Sequence, residues 1–513
     1  MDATAAIVFA LLFLLVTVLG FAASRWKAGD LRQLHEWGLG GRRFGTLITW
    51  FLLGGDLYTA YTFIAVPALI FFQGAIGFFA IPYTIMAYPI LYVAFPRLWA
   101  VAHRHGYVTS SDFVRGRFGN RWLALAVAVT GIFATMPYIA LQLVGMQVVI
   151  GALGFDTTGL SGDVPLIIAF VILAAFTYSA GLRAPAMIAI VKDVLIYITV
   201  FAAIVVVPIK LGGYGAVFSA VDVKKLLLAP PPADGSSLGS YSAYATLALG
   251  SALALFLYPH SFTAILSSSS GNVIRRNAAI MPAYSLLLGF LALLGFMAVA
   301  VGVAKDPAFA NGFKQYGNNF AIPALFLATF PSWFVGVAFA AIGIGALVPA
   351  AIMSIATANI FTRNIYREFI RPACTDAQES QVAKLVSLVV KLGALLFIFA
   401  IDVPYALQLQ LLGGIWMIQI LPAVLIGAYT RFFNGWALLI GWAAGMGVGT
   451  WMAAQSDFKA AVYPLQLFGT TVPCFIALSS VVVNIAVAVI VSLPLNRVAS
   501  DRHKDVTVAG DYA

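Results

Sequence analysis

The stretch LGGDLYT, residues 53–59, interrupts an apolar run that is otherwise long enough to cross a membrane, residues 46–73. The stretch YPHS, residues 258–261, interrupts a second run at 242–266 in the same way. Each run is the first of five consecutive predicted helices, and a matched pair of broken helices is typical of inverted-repeat transporters. Their free half-helix ends hold substrate and ions near the membrane midplane. Glycine and proline also occur where membrane helices simply kink or pack closely, but the matching positions favour a transporter.

The composition of the whole chain is that of a membrane protein. Of its 513 residues, 62% are hydrophobic and 9% are charged, whereas about 25% of the residues of a soluble protein are charged. Apolar runs of about 20 residues, enough to cross a hydrocarbon core of roughly 30 Å, recur from end to end. We predict an all-α, polytopic protein with these thirteen membrane helices: 5–24, 46–73, 77–101, 121–151, 164–181, 184–211, 242–266, 276–304, 333–362, 383–401, 405–429, 436–454 and 472–493.

The predicted helices form a single transmembrane domain, residues 1–513. Outside the helices we expect a short re-entrant or interfacial helix near 321–329 and a polar, disordered tail after Leu493. The predicted units are an extra N-terminal helix and loop (1–45), a first core repeat (46–211), a second core repeat (242–429), two C-terminal helices (430–493) and a cytoplasmic tail (494–513).

The net charge of +10 follows from membrane topology and does not indicate a nucleic-acid partner. Thirteen helices with the N-terminus outside place most arginine clusters on one side, as the positive-inside rule requires. The first apolar run is followed, not preceded, by basic residues such as Arg25 and Arg32, so we predict a retained helix and not a signal peptide. The tail then lies in the cytoplasm. Cys374 and Cys474 fall on opposite sides and should not pair.

Four stretches in chain order carry a family resemblance. They are LGGDLYT at 53–59, VTSSDF at 108–113 with RFG at 117–119, PYIALQL at 137–143, and ANIFTRNIY at 358–366. Together they resemble the sodium/solute symporter family.

Within that family, GLRAP at 181–185 and YPH at 258–260 look most like the bacterial monocarboxylate permeases. The resemblance implies a LeuT-type core of five plus five helices in a bacterial inner membrane. It also implies a secondary active symporter that imports short monocarboxylates such as lactate, pyruvate or acetate by alternating access.

The same resemblance locates a sodium site that this chain has altered. The site's backbone carbonyls fall on the first core helix, at Gly54 and Leu57, and on Gly345. Its two hydroxyl ligands fall on Val348 and Pro349, whose side chains have no oxygen. Because unwound carbonyls and hydroxyls are what holds sodium in such transporters, we expect at most a vestigial sodium site. A proton is slightly favoured over sodium as the coupling ion.

Three ionisable residues inside the membrane are candidates for coupling. Asp56 lies about ten residues into its helix, where a carboxylate is costly unless paired; it either binds a proton or cation or bonds its own broken backbone. Lys192 either approaches the vacant cation position and exchanges a proton, or extends to the membrane surface. Asp193 matches an aspartate of the family near the sodium path. Because adjacent helix residues do not face each other, we expect Lys192 and Asp193 to have separate partners.

A small carboxylate substrate requires positive potential and hydrogen-bond donors, and no arginine lies in the middle of a predicted span. We therefore expect half-helix N-termini to supply donors, helped by polar side chains. Gln142 and His260 are the strongest candidates because a buried amide or imidazole must find a partner; a single aromatic is more often a packing residue. The full candidate set is Tyr58, Thr59, Tyr61, Tyr138, Gln142, Tyr258, His260, Ser261, Trp416 and Gln419.

Other functions fit the sequence less well. An enzyme would need a nucleophile–base pair or an acid–histidine cluster, and the membrane histidine stands alone, so we predict no catalytic residues and no cofactor. A sodium-coupled symporter of another small solute, such as an amino acid, is the nearest alternative. A passive channel or a transport-like sensor is a third class. We expect the protein to work as a monomer in a lipid bilayer.

Overall fold

The computed structural model describes residues 2–26, 29–155, 164–398, 406–498 and 504–512. This part of the chain is mostly α-helical, as its apolar runs predict. The helices are α1 (Ala3–Ala22), α2 (Leu34–Leu39), α3 (Thr46–Leu57), α4 (Val66–Gln73), α5 (Ala80–His105), α6 (Ser110–Phe118), α7 (Arg121–Ala152), α8 (Val164–Ala180), α9 (Arg183–Leu211), α10 (Tyr214–Ser219), α11 (Val223–Leu226), α12 (Gly239–Leu255), α13 (Pro259–Leu266), α14 (Gly271–Ile280), α15 (Pro282–Val301), α16 (Ala310–Tyr316), α17 (Ala321–Thr329), α18 (Ser332–Phe361), α19 (Asp376–Ile398), α20 (Ala406–Met417), α21 (Gly435–Ala454) and α22 (Ile476–Val498).

Eight helical segments in the described residues are long and apolar enough to span a membrane, and nine if α12 and α13 count as one bent span. Three further apolar helices, in α3, α8 and the region 410–426, are shorter than a full span. The exact number of thirteen therefore remains a prediction. Residue 405, where the eleventh predicted span begins, lies outside the described residues.

Both predicted helix interruptions are present. The first falls just after the Gly-Gly-Asp sequence and not within it: α3 continues through Asp56 to Leu57, and Tyr58 then leaves the helical region with φ −94° and ψ 89°. A π-helical turn at Tyr61–Ala65 leads into α4. The second lies between α12 and α13, which are bent by 47°. Pro259 occupies the first turn of α13, a position where a missing N–H costs nothing.

The centre of the molecule is α18. In its most apolar window 94% of the residues are buried, against 17% in α1, which therefore lies at the periphery. Two groups of helices surround the breaks. One comprises α5 packed against α12, α14 and α15, and the other comprises α7 packed against α18, α19 and α20.

The short helix α6 lies between α5 and α7 in the chain, and its limits follow from its sequence. Thr109 and Asp112 form a reciprocal capping box, in which each side chain accepts from the backbone N–H of the other. Gly119, at φ 61°, ends the helix in the left-handed conformation that glycine adopts most easily. Asn120 then caps α7 by accepting from the N–H groups of Trp122 and Leu123.

The C-terminal region differs from the predictions in two places. Two antiparallel strands, β1 (Val462–Leu467) and β2 (Thr470–Phe475), precede α22, so the last helix begins at Ile476 and not at 472. Phe468 and Gly469 both have positive φ, as a two-residue hairpin turn requires. The prediction of a disordered tail after Leu493 is wrong for residues 494–498, which continue α22. It is also wrong for residues 504–512, which pack on the protein with Thr507, Asp511 and Tyr512 buried. Asp505 and Asp511 of this stretch form ion pairs with Arg117 and Arg104, and apolar periodicity does not reveal such pairs.

Other expectations about the loops are confirmed. Residues 321–329 form the helix α17. Cys374 and Cys474 are both free, and Cys474 lies in β2. Residues 499–503 and 513 of the predicted tail lie outside the described residues.

Candidate functional site

Lys192 lies at the first helix break, fully buried in α9. Its ammonium donates to the backbone carbonyl of Gly55 and to that of Tyr58, the latter at 3.1 Å. These carbonyls belong to the residues that directly follow Gly54 and Leu57, so the contact is shifted by one position from the carbonyls expected from the family resemblance. A Cβ added to Gly55 would lie 2.8 Å from the Lys192 nitrogen, so glycine is needed for this approach.

Asp193 is paired with Lys192 and is also fully buried. The Lys192 nitrogen lies 3.1 Å from Asp193 Oδ1, and the Tyr284 hydroxyl donates to Asp193 Oδ2 at 2.7 Å. The expectation of separate partners is therefore wrong in part. The lysine side chain is long enough to curve back to its neighbour while still reaching the carbonyls of α3. An ion pair without access to water needs such additional hydrogen bonds to offset its lost hydration.

The helix on which the family resemblance places the two missing hydroxyl ligands, α18, borders the same position. Gly345 in α18 lies beside the break, because a Cβ there would be 3.9 Å from the Tyr58 carbonyl oxygen. Val348 and Pro349 follow in the same buried helix and bring no side-chain oxygen. Carbonyl oxygens are thus gathered around a lysine nitrogen.

Asp56 connects the first break with the second. Its Oδ2 accepts a hydrogen bond of 2.7 Å from the Ser261 hydroxyl in α13. The same oxygen lies 3.6 Å from His260 Nε2, an ion-pair distance when the imidazole is protonated. All three side chains are at least 95% buried. The carboxylate therefore bonds the opposite broken helix and not the backbone of its own.

Aromatic rings enclose His260. The rings of Tyr138 and Tyr258 each lie 5.3 Å from the imidazole, measured between centroids. Three buried polar atoms in this region have no hydrogen-bond partner: Asp56 Oδ1, His260 Nδ1 and the Tyr61 hydroxyl. Buried polar atoms are normally satisfied, so unpaired atoms at a helix break indicate room for a polar ligand.

Gln142 and Thr59 satisfy the free backbone of the first break. The side-chain oxygen of Gln142 accepts from the N–H of Ala60 at 3.0 Å, and the Thr59 hydroxyl accepts from the N–H of Tyr61 at the same distance. Tyr58 instead directs its hydroxyl to the carbonyl of Tyr284. These residues hold the break in shape.

Two candidates on α20 and the turn after it face elsewhere. Trp416 donates to Thr450 in α21 at 3.1 Å, and Gln419 bonds Ser480 and Asn484 in α22. The structure thus brings eight of the ten substrate candidates to the two breaks and directs these two toward the C-terminal helices.

Sequence reasoning missed Tyr284 and the carbonyl of Gly55. Tyr284 also packs its ring at 4.8 Å from that of Tyr58. Tyr284 and Ser285 are the only polar side chains in the apolar helix α15, and this contrast is the signal that could have identified them.

A helical membrane protein whose two broken helices enclose buried charges is a secondary transporter, and the comparisons with known proteins agree. The model of the sodium:solute symporter family matches residues 37–443. The chain belongs to this family and is a symporter, not an enzyme. Members of the family use a coupling ion, usually sodium.

Two bacterial relatives cover most of the chain. A protein named monocarboxylate transport permease from Rhizobium johnstonii is 53% identical over 497 residues, which is 96% of this chain and 97% of the relative. An uncharacterized symporter of Bacillus subtilis, YodF, is 34% identical over 447 residues, which is 87% of each chain.

Solved structures share the fold at low sequence identity. A sodium-coupled sialic acid symporter in a substrate-bound outward-open state superposes with a TM-score of 0.74 and 14% identity, over 96% of this chain and 98% of that chain. A transporter of the nucleobase-cation-symport-1 family in a closed conformation gives 0.53 and 11%, over 95% and 100%. The LeuT-type transporter fold follows from these likenesses.

Proposed function

We propose that this symporter imports short monocarboxylates of the lactate, pyruvate or acetate type together with a proton. The name of the Rhizobium johnstonii relative supports the substrate class. The buried charges at the two helix breaks support the coupling.

The substrate carboxylate binds at the second break in this proposal. No side chain caps the N-terminus of α13, so its backbone donors and the positive end of its dipole remain open to an anion. His260 Nδ1 and the Tyr61 hydroxyl are buried and without partners, and each can donate to a carboxylate oxygen. The rings of Tyr138 and Tyr258, each centred 5.3 Å from the imidazole, then pack against the short carbon chain of the substrate.

The preference for a proton over sodium depends on one observation, the contact of Lys192 with the carbonyls of Gly55 and Tyr58. The charged ammonium neutralises Asp193 and holds these carbonyls, as a sodium ion would with oxygen ligands. Loss of the proton leaves a net charge of −1 on the pair and weakens the attraction to the carbonyls. Proton exchange at the lysine nitrogen therefore changes the electrostatics of the first break during transport.

Labelled-lactate uptake into proteoliposomes tests both parts of the proposal. An inward proton gradient without sodium should drive accumulation above equilibrium, and a protonophore should abolish it. A sodium gradient at uniform pH should add nothing, and protein-free liposomes serve as the blank. Uptake that requires sodium contradicts the proposed proton coupling but does not contradict the proposed substrate class.

The remaining alternatives are separated in the same vesicles. Displacement of labelled lactate by excess pyruvate or acetate, but not by amino acids, supports the substrate class. Saturation and counterflow distinguish a carrier from a channel. We further propose thirteen spans, namely one extra N-terminal helix, two core repeats of five helices and two C-terminal helices. In this proposal the N-terminus lies outside a bacterial inner membrane and the protein functions as a monomer.

A further inference from the structure

The nine residues 504–512, here called the C-terminal segment, lie against three elements on one face of the protein. These elements are the end of α5, the helix α6, and the residues 427–431 at the end of the second core repeat. Alternating-access symporters work largely by moving one group of helices against another. The segment contacts α5 of one group, and it contacts α6, which packs on α7 of the other group and leads directly into it.

One end of the segment is bonded to α6 and to Arg431. Asp505 lies 2.6 Å from an Arg117 nitrogen and 3.3 Å from one of Arg431, and the Arg117 and Asp505 side chains are both more than 90% buried. Arg117 also donates to the carbonyls of Gly427 and Thr430. Backbone pairing adds to this contact.

That backbone contact joins the segment to α6. The N–H of Val506 donates to the carbonyl of Gly116 at 3.0 Å, and a Cβ on Gly116 would approach the Val506 side chain to 3.3 Å. The segment is thus seated closely on the helix and is not merely attracted to its charge.

The other end of the segment is bonded to α5. Asp511 accepts from Arg104 at 2.8 Å and lies 2.8 Å from His105 Nε2. The hydrogen bond with His105, that from the Val508 N–H and that from Arg104 hold the pKa of the Asp511 carboxyl well below its usual range. The carboxylate is therefore ionised at any physiological pH. The ring of Tyr512 lies 5.7 Å from the guanidinium carbons of both Arg97 in α5 and Arg117 in α6.

We propose that the C-terminal segment is a latch that joins the two groups of helices and is released, at one end, each time this face of the transporter opens. The carboxylates of Asp505 and Asp511, at opposite ends of the segment, form ion pairs with arginines of different elements. The ring of Tyr512 lies near arginines of both α5 and α6. Arg104 and His105 are more exposed than Arg117, so the Asp511 end is the one that releases. Locking this end therefore hinders turnover unless the Asp505 end is weakened.

Covalent locking of one end tests the latch. In a background with Cys374→Ser and Cys474→Ser, the pair His105→Cys and Asp511→Cys is joined by a short bis-methanethiosulfonate, which forms a reducible disulfide with each cysteine. We expect uptake of labelled lactate to fall several-fold on cross-linking and to recover on reduction, while each single-cysteine variant is unaffected. Adding Asp505→Asn should restore part of the uptake in the cross-linked protein, because the opposite end can then release. Undiminished uptake at complete cross-linking overturns the proposal.

Hydrogen–deuterium exchange gives a measurement that does not depend on the transported substrate. In the Asp505→Asn, Asp511→Asn double variant, amides of α6 and of residues 427–431 should exchange faster, while those of α18 keep their protection. Unchanged exchange in α6 overturns the latch even if lactate is not the substrate. A monodisperse elution profile confirms that the double variant is folded.

Discussion

The two helix breaks solve the same structural problem in opposite ways. At the first, side chains satisfy the free backbone: Gln142 accepts from Ala60, Thr59 accepts from Tyr61, and Lys192 donates to two carbonyls. At the second, α13 has no side-chain cap and His260 Nδ1 has no partner. The first break thus frees both carbonyls and N–H groups, and side chains of the protein bond both kinds, whereas the first-turn N–H groups of α13 have no side-chain partner.

From this contrast we propose different ligands for the two breaks. Carbonyls attract a cation, and here the cation is part of the chain itself. N–H groups at a helix start attract an anion, which must come from outside. Asp56 lies between them and bonds Ser261 across the gap. Variants at the first break should therefore change coupling, and variants at the second should change substrate affinity.

The largest effect is expected from Lys192→Met at the first break. The variant removes the proposed proton-exchanging group and leaves Asp193 buried without its cation, so proton-driven accumulation of lactate should be lost. Breaking a buried ion pair by removing one partner costs about 3–5 kcal/mol of stability. Uptake under an imposed proton gradient measures the first effect, and thermal unfolding in detergent measures the second.

The double variant Lys192→Met, Asp193→Asn is the control for folding. It removes both charges together, so most of the lost stability should return while proton-driven accumulation stays absent. Substrate counterflow, which needs no gradient, should persist. Normal proton-driven accumulation in either variant would show that Lys192 does not carry the proton.

A gain of sodium dependence is the second expected effect. In Lys192→Ala, Val348→Ser, Pro349→Ser the ammonium is gone and two hydroxyls stand where the family resemblance locates sodium ligands. We expect sodium to stimulate lactate uptake in this triple variant and to have no effect in Lys192→Ala alone. If sodium fails to stimulate a well-folded triple variant, Lys192 does not occupy a cation position of this kind.

His260→Phe at the second break should act on affinity. Phenylalanine preserves ring contacts with Tyr138 and Tyr258 but removes both ring nitrogens. Because a hydrogen bond to a charged group contributes about 1.5–3 kcal/mol, the KM for lactate should rise about tenfold or more. The dependence on the proton gradient should be unchanged. His103→Phe, at an exposed position, is the matched control and should leave KM unaltered; an equal KM in both variants contradicts an anion site at α13.

The sequence predicts the broken helices because their cause is local. Glycine, aspartate and proline within apolar runs are visible in the chain, and the observed breaks lie at or just after them. The four family motifs likewise identify the family correctly. The ordered segment 504–512 is less visible, because it depends on pairing with distant residues such as Arg117 and His105.

The site is predictable only in part, for a related physical reason. Lys192, Asp56 and His260 are conspicuous in the sequence because they are ionisable residues within apolar membrane helices. Which atoms they contact depends on side-chain length and helix rotation, and so the pairing of Lys192 with Asp193 and the role of Tyr284 are not apparent from spacing. Rotation also directs Trp416 away from the breaks, although it lies on a core helix.

The smallest effect is therefore expected from Trp416→Phe, which tests whether α20 contributes to the second break. The variant removes the hydrogen bond to Thr450 in α21, a net loss of about 0.5–1.5 kcal/mol of stability. Because this bond points toward the C-terminal helices, the KM for lactate and the response to a proton gradient should both stay at wild-type values. Tyr138→Leu, which removes a ring in contact with His260, is the matched comparison and should raise KM. A rise in KM for Trp416→Phe as large as that for Tyr138→Leu would place α20 in the substrate site and extend the anion-binding region beyond the two breaks.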